Sequence, residues 1–253
     1  MAEPIIEVKN LVKTYGSLQA VNDISFSVLP GEIFGLLGPN GAGKSTTLEI
    51  VETLREKTSG EVRVCGFSLD EQAANIKQVI GVQLQSSGYY PGLNLVQLIE
   101  LFGGLYGCRV NPIEILSLVN LQEKAKAKVK ELSGGQRQRF SIATTLVNQP
   151  RVIFLDEPTT GLDPQARRNL WELIRTIQQQ GTTIVLTTHY MDEAEYLCDR
   201  IAIMDKGKII ALDTPDRMID QLIETGFERK KEMKAANLED VFIQLTGHAL
   251  NDE

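Results

Sequence analysis

The chain has 253 residues, 42% of them hydrophobic and 23% charged, enough for a real core in one large domain or in a domain with a small subdomain. Its net charge of −7 and sequence pI of about 5.1 argue against a general nucleic-acid binder, which carries a basic face. Three scattered cysteines (Cys65, Cys108, Cys198) form no CxxC pair, and no run of about 18 uncharged apolar residues occurs, so disulfides, a zinc site and a membrane span are all unexpected.

The start, MAEPIIEVKN, lacks the basic and apolar stretches of a signal peptide, which fits a reducing cytosolic setting. Residues 5–30 alternate apolar and polar (Ile6, Val8, later Ile24, Phe26, Val28), predicting an antiparallel β layer. Ile33 to Leu37 predicts a buried strand, followed by a glycine-rich turn and a helix from about Lys44 to Leu54. Another strand, Ile80 to Leu84, ends at Gln85. Residues 91–149 are mostly helical in pattern, with turn signals at Pro91-Gly92, Asn111-Pro112 and Ser133-Gly134-Gly135. The most apolar stretch, Leu93 to Gly107, is broken by Asn94, Gln97, Glu100 and glycines, which suits a half-buried helix. Val152 to Leu155 and Thr183 to Thr187 predict two more buried strands. Between them a helix starts at Asp163 as N-cap with Pro164 in its first turn, shows Leu170, Leu173, Ile174 and Ile177 on one face, and stops at Gly181. A charged stretch from Thr225 to Lys234 leads to a last short amphipathic helix, Leu238 to Thr246. Short apolar runs alternating with helices predict an α/β fold with a mostly parallel sheet, an antiparallel β layer and an inserted helical subdomain.

Gly38-Pro39-Asn40-Gly41-Ala42-Gly43-Lys44-Ser45-Thr46 matches the phosphate-binding loop, in its required place between a strand and a helix. Glycines let successive N–H groups curl around phosphate oxygens, and the helix N-terminus adds its positive end. Lys44 would reach the β- and γ-phosphates of ATP and Ser45 would ligate Mg²⁺. A chance match in a chain this long has odds of roughly one in a hundred, so the alternative of a glycine turn with a solvated lysine loses. Val152 to Leu155 ends in Asp156-Glu157. By itself the pair reads as a solvated strand end. Beside the loop, Asp156 suits a Mg²⁺ partner and Glu157 a general base for the attacking water. Domain boundaries expected from this reading are a P-loop NTPase core in two parts, 1–90 and 151–224, a helical subdomain at 91–150 and a tail at 225–253.

Leu132-Ser133-Gly134-Gly135-Gln136-Arg137-Gln138-Arg139 gives a second helix start with a phosphate-cradle character. Taken with GPNGAGKST upstream and VIFLDEPTTGLDP downstream, it resembles the nucleotide-binding subunit of ATP-binding cassette (ABC) transporters over almost the whole chain. The resemblance implies head-to-tail pairing, with Ser133 and Gly135 of one chain closing over the γ-phosphate held by Lys44 of another. It implies His189 as a switch histidine contacting the γ-phosphate and ordering Glu157, and Gln85 as a Mg²⁺- and water-sensing glutamine. Asp163 would signal across the dimer, although it serves equally as helix cap. Tyr15 would stack on adenine, with Lys13 and Val21 lining the same pocket.

Three functions compete. One is the ATPase subunit of a transporter, working at the inner membrane face through a separate transmembrane permease, with a second cassette, expected to be another copy, and no nucleic acid. Another is a non-transport relative in translation or DNA repair, which fits poorly because such chains carry two cassettes or a long coiled coil. The third, an unrelated P-loop kinase or GTPase, leaves Ser133, Gly135 and His189 idle. The tail from Leu238 to Gly247 resembles multidrug and antibiotic exporter cassettes, although the segment before it is brief. Tyr89 and Tyr90 offer either a socket for a permease helix or packing between subdomain and core.

Overall fold

A computed structural model of the chain describes residues 3–83 and 88–227. The antiparallel layer begins with β1 (Ile6–Tyr15) and β2 (Leu18–Val28), joined by a tight turn in which Gly16 takes a positive φ. Ile6 pairs with Val28 and Val8 with Phe26, so the alternating apolar residues share one buried face. After β3 (Ile33–Leu37) and α1 (Lys44–Val51), β4 (Ser59–Val64) adds to the free edge of β1 and β5 (Phe67–Ser68) to β4. This gives a four-stranded sheet in the order β2-β1-β4-β5.

The chain continues through α2 (Leu69–Val79) and β6 (Ile80–Gln83) into the helical segment. That segment holds α3 (Leu95–Tyr106), α4 (Pro112–Leu118), two short 3-10 turns and α5 (Gly134–Thr145). It then returns as β7 (Val152–Asp156), α6 (Pro164–Gln179), β8 (Thr183–Thr188), α7 (Met191–Leu197), β9 (Arg200–Asp205), β10 (Lys208–Asp213) and α8 (Pro215–Glu224). The second sheet runs β10-β9-β3-β8-β7-β6, parallel except for β10 on its edge. All of β3 and β8 and most of β7 are buried, as central parallel strands must be when both faces are covered. Phe26 of the first sheet stacks on Phe34 of the second with ring centroids 5.4 Å apart, tying the layers through the core.

Helices in the inserted segment start where the sequence writes their caps. Asn94 accepts the Gln97 N–H while Gln97 returns a bond to the Asn94 N–H, and Asn111 caps α4 ahead of Pro112. Each such cap stabilises its helix by ~1 kcal/mol. Tyr89 packs on the helices of the segment, its ring 6.4 Å from Phe102 of α3 and 5.3 Å from Phe140 of α5, while Tyr90 is 68% exposed. Helix α1 stops at Val51, short of the expected Leu54, because Thr53 adopts φ +67 and turns the chain out of the helix. Leu84 and Gln85, and the tail helix expected at Leu238 to Thr246, lie outside the described residues. The described residues up to Arg217 form one compact unit, and those from Met218 to 227 fall in a second. Among the described residues no helix is long and apolar enough to cross a membrane.

Candidate functional site

Strands β3, β7 and β8 end side by side, Leu37 against Thr188 and Asp156 against Thr187. The three segments that follow therefore converge at the carboxyl edge of the sheet, where open parallel sheets bind ligands. After β3 the chain takes the Gly38–Gly43 loop. A Cβ on Gly38 would strike the Met204 carbonyl, and one on Gly43, which sits at φ +100, the Ala20 carbonyl. Gly43 is the N-cap of α1 and no side chain caps that helix, so its first-turn N–H groups have no partner within the helix. They face an open cleft of about 660 Å³ whose walls include Asn40, Gly41, Gly43, Lys44, Ser45 and Thr46. An oxyanion suits that end of the helix.

Lys44 is 4% exposed. Its Nζ donates to the Gly38 and Pro39 carbonyls at 2.8 and 3.1 Å and lies 3.9 Å from Glu157 Oε1. Burial pulls its pKa down, opposed by the carboxylates of Glu157 and Asp156. Ser45 Oγ donates to Asp156 Oδ1 at 3.2 Å. The Thr187 hydroxyl donates to the same oxygen and accepts the Glu157 N–H at 3.0 Å, so one threonine holds the Asp156 carboxylate and the Glu157 backbone together. Among the described residues no group of three or more His, Cys, Asp or Glu could hold a metal. A Mg²⁺ carried by substrate phosphates needs only one or two protein oxygens, and the adjacent Ser45 hydroxyl and Asp156 carboxylate are hard donors of that kind.

Glu157 is in the left-handed region, φ +47, a conformation that costs a non-glycine residue about 1–3 kcal/mol and is concentrated at functional sites. The turn directs its carboxylate into the cleft, where Oε1 lies 3.3 Å from His189 Nδ1 and Oε2 accepts the Thr160 hydroxyl at 3.2 Å. His189 Nδ1 makes no hydrogen bond, so the contact with Glu157 is close but not aligned along an N–H.

Tyr15, 39% exposed, forms one wall of the cleft, with Lys13 Nζ 4.9 Å and the Arg55 guanidinium 5.5 Å from its ring centroid. Val21, expected to line the same pocket, is instead fully buried: it pairs with Lys13 across the hairpin and points into the core. Lys13 covers the tyrosine ring and is not part of the cleft wall. Leu18 (65% exposed), Gln19 and Ala20 take that place. The turn between β9 and β10 also reaches the site, where the Gly207 N–H donates to the Ala42 carbonyl at 3.0 Å and its carbonyl accepts the Asn22 N–H at 2.8 Å. Thr187 and Leu18 carry no local sequence signal for the site, while Gly207 carries a turn pair with Lys206.

The remaining candidates gather elsewhere. Ser133 caps α5 by accepting the Gln136 N–H, and Gln136 returns a bond to the Ser133 N–H. A Cβ on Gly135 would lie 3.2 Å from the Ala166 Cβ, and one on Gly134 3.9 Å from Leu162, so this helix start packs beside the turn that holds Asp163. Asp163 caps α6 through the N–H groups of Gln165 and Ala166. Ser133, Gly135 and Asp163 are absent from the walls of the cleft around Lys44. Gln85 lies outside the described residues.

Comparison with known proteins agrees with this geometry. The family described as ABC transporter matches residues 21–160. The chain is 35% identical to Nod factor export ATP-binding protein I from Paraburkholderia xenovorans, with 100% of both chains covered. It is 39% identical to linearmycin resistance ATP-binding protein LnrL from Bacillus subtilis over 86% of this chain and 72% of that one. Among solved structures, a dimeric ATP-binding cassette in a post-hydrolysis state with ADP and Pi superposes with a TM-score of 0.74 at 28% identity, covering 83% of this chain and 98% of the other. An ATP-binding subunit of an ABC transporter superposes with a TM-score of 0.76 at 28% identity, covering 96% and 99%.

Proposed function

The chain belongs to the ABC transporter family as an ATP-hydrolysing cassette, and from that premise we propose that two copies close head to tail around ATP and drive export through a separately encoded membrane protein. The observation that carries the pairing is the separation of two half-sites. Lys44 and its cleft sit at one place, while Ser133, Gly135 and Asp163 lie together at another and do not line that cleft. A second copy, turned head to tail, brings the second set over the first, and the similarity to a solved dimeric cassette with ADP and Pi supports pairing. The cassette thereby acts from the inner face of the membrane through its permease. Export rests on the two relatives, named for Nod factor export and linearmycin resistance.

In this reading Tyr15 and Leu18 hold the base. Gly38, Asn40, Gly41, Gly43 and Thr46 shape and line the phosphate cradle, and Lys44 exchanges its two loop carbonyls for the β- and γ-phosphates. Ser45 and Asp156, with Gln85, would hold Mg²⁺, which when bound would offset phosphate charge. Moving Lys44 onto phosphate removes the cation beside Glu157. That carboxylate is then free to orient the water and accept its proton as the γ-phosphoryl group leaves ADP. His189 contacts the γ-phosphate and keeps Glu157 in place, and the Ser133 hydroxyl and Gly135 N–H of the other copy close the site. Size-exclusion chromatography of Glu157→Gln with ATP and Mg²⁺ tests this. We expect ATP binding retained, turnover lowered about a hundredfold or more, and a shift to a stable dimer. A variant that stays monomeric and hydrolyses at the wild-type rate would remove Glu157 from the role.

A further inference from the structure

We propose that Tyr190 and Arg167 form a stack that fixes the imidazole of His189, so that α6, the helix beginning at Asp163, sets the position of the switch histidine. The inference rests on the role given to His189 above. His189 stands between the end of β8 and a seven-residue helix, α7, that no side chain caps. With no hydrogen bond at Nδ1, the ring is held there by packing. The Tyr190 ring lies against it, with centroids 4.1 Å apart and planes inclined by 38°. Tyr190 is fixed at the backbone by its N–H, which donates to Thr188 Oγ1 at 3.0 Å.

Behind Tyr190 stands Arg167, its guanidinium 4.5 Å from the ring centroid and its Nη1 3.3 Å from Asp192 Oδ2. Arg167 Nε is buried without a partner, which costs free energy that the cation–π contact and the ion pair offset. One turn further along α6, Trp171 Nε1 donates at 3.1 Å to Glu193, a fully buried carboxylate on α7. Arg167 and Trp171 are four residues apart, so they share a face of α6. They meet Tyr190 and Glu193, which are three apart at the start of α7. Attachment at two points prevents α7 from rolling on α6. Asp163 caps the same helix, and the Arg167 N–H donates to the Asp163 carbonyl at 2.9 Å. Displacement of the Asp163 turn therefore moves Arg167, Tyr190 and His189 together. Neither Tyr190 nor Arg167 reaches the reacting atoms; both are positioning residues.

The test is ATPase kinetics on the full chain together with imidazole NMR. Tyr190→Leu keeps the volume without the aromatic face, and Arg167→Ala removes the cation. Each should lower kcat about tenfold with KM for ATP unchanged, the signature of a misplaced catalytic group and not of lost binding. Tyr190→Phe and Arg167→Lys keep the stack and should restore most of the rate. The chain has two histidines, so a His189→Ala spectrum assigns the His189 ring protons, which should shift in Arg167→Ala although Arg167 acts on the imidazole only through Tyr190. Unchanged kcat in Tyr190→Leu, equal losses in Tyr190→Leu and Tyr190→Phe, or an unmoved His189 signal in Arg167→Ala would each overturn the proposal. A His189→Ala chain that hydrolyses at the wild-type rate would instead remove the reading it rests on. His189→Ala inactive with Tyr190→Leu fully active keeps that reading and refutes the stack alone.

Discussion

A glycine stands at the start of both α1, as its N-cap, and α5, as its first residue, and the two starts are finished in opposite ways. Gly43 opens α1 in a left-handed conformation with no side-chain cap, leaving the first-turn N–H groups to whatever enters the cleft. Ser133 opens α5 with a reciprocal capping box, so Gln136 and Ser133 satisfy each other's N–H groups inside the chain. The first start is incomplete without an anion. The second is complete as a helix, yet the Ser133 oxygen only accepts in its cap and its O–H is still free to donate. A self-capped serine beside glycine can therefore add one donor to a phosphate already held elsewhere, which suits a helix that arrives from a second copy.

Breaking the uncapped start should have the largest effect. Lys44→Ala removes the buried cation of that cradle and is expected to lower ATPase activity by a hundredfold or more, on the order of losing a main electrostatic contact, with nucleotide binding lost in equilibrium titration. Wild-type binding with this variant would mean that the N–H groups alone hold the phosphates. The capped start can be probed without unfolding it. Ser133→Asp keeps a good N-cap, so melting should change by no more than about 0.5 kcal/mol, while a carboxylate facing the γ-phosphate should lower turnover about a hundredfold. Loss of stability in step with activity would reduce Ser133 to a cap.

The smallest effect expected is at the other end of α1. Glu52, its C-cap, is buried with Oε1 unpartnered, and its pKa is pushed up to about 8, first by burial and then by Asp156 and Glu49. Because the folded value exceeds the unfolded one, its contribution to stability is fully present at low pH and is lost as pH rises from about 4.5 toward 8. Glu52→Gln keeps the shape without the charge. Above pH 8 in Mg²⁺-free buffer it should melt higher than wild type by about 1 kcal/mol, roughly 2–4 °C for a chain of this size. Near pH 4.5 that advantage should vanish. A constant difference across the range would exclude titration of Glu52 as its source.

The parts of the fold legible in the sequence are those encoded locally. The phosphate loop needs glycine at Gly38 and Gly43 because backbone carbonyls crowd both, and Ser133 and Asp163 announce helix starts through their own side chains, whereas Asn94, a break in the apolar stretch by sequence, and Asn111, a turn signal, prove to be N-caps. Short unbroken apolar runs make β3, β7 and β8 readable, and alternation does the same for β1 and β2. What escaped depends on register between distant strands. Thr187 acts on Asp156 and Glu157 only because β7 and β8 pair as they do, and within an apolar strand a threonine looks like any β-branched residue. Val21 was misplaced for the same reason: one step of the hairpin sends it inward and leaves Ala20 on the cleft. Arg167 and Tyr190, far apart in sequence, meet only where α6 and α7 pack.

The claim that one chain supplies the loop and another the signature is tested most directly by mixing two disabled chains. Lys44→Ala and Ser133→Arg chains are purified separately, and ATPase activity is measured alone and after combination. Each alone should be inactive. Mixed in equal amounts, half the dimers pair one of each, and one of their two sites then joins an intact loop to an intact signature. Activity should recover to roughly a quarter of wild type, the share of intact sites in a symmetric pair. Wild-type turnover by the Ser133→Arg chain on its own would contradict the account, because it would place the whole reaction within a single subunit.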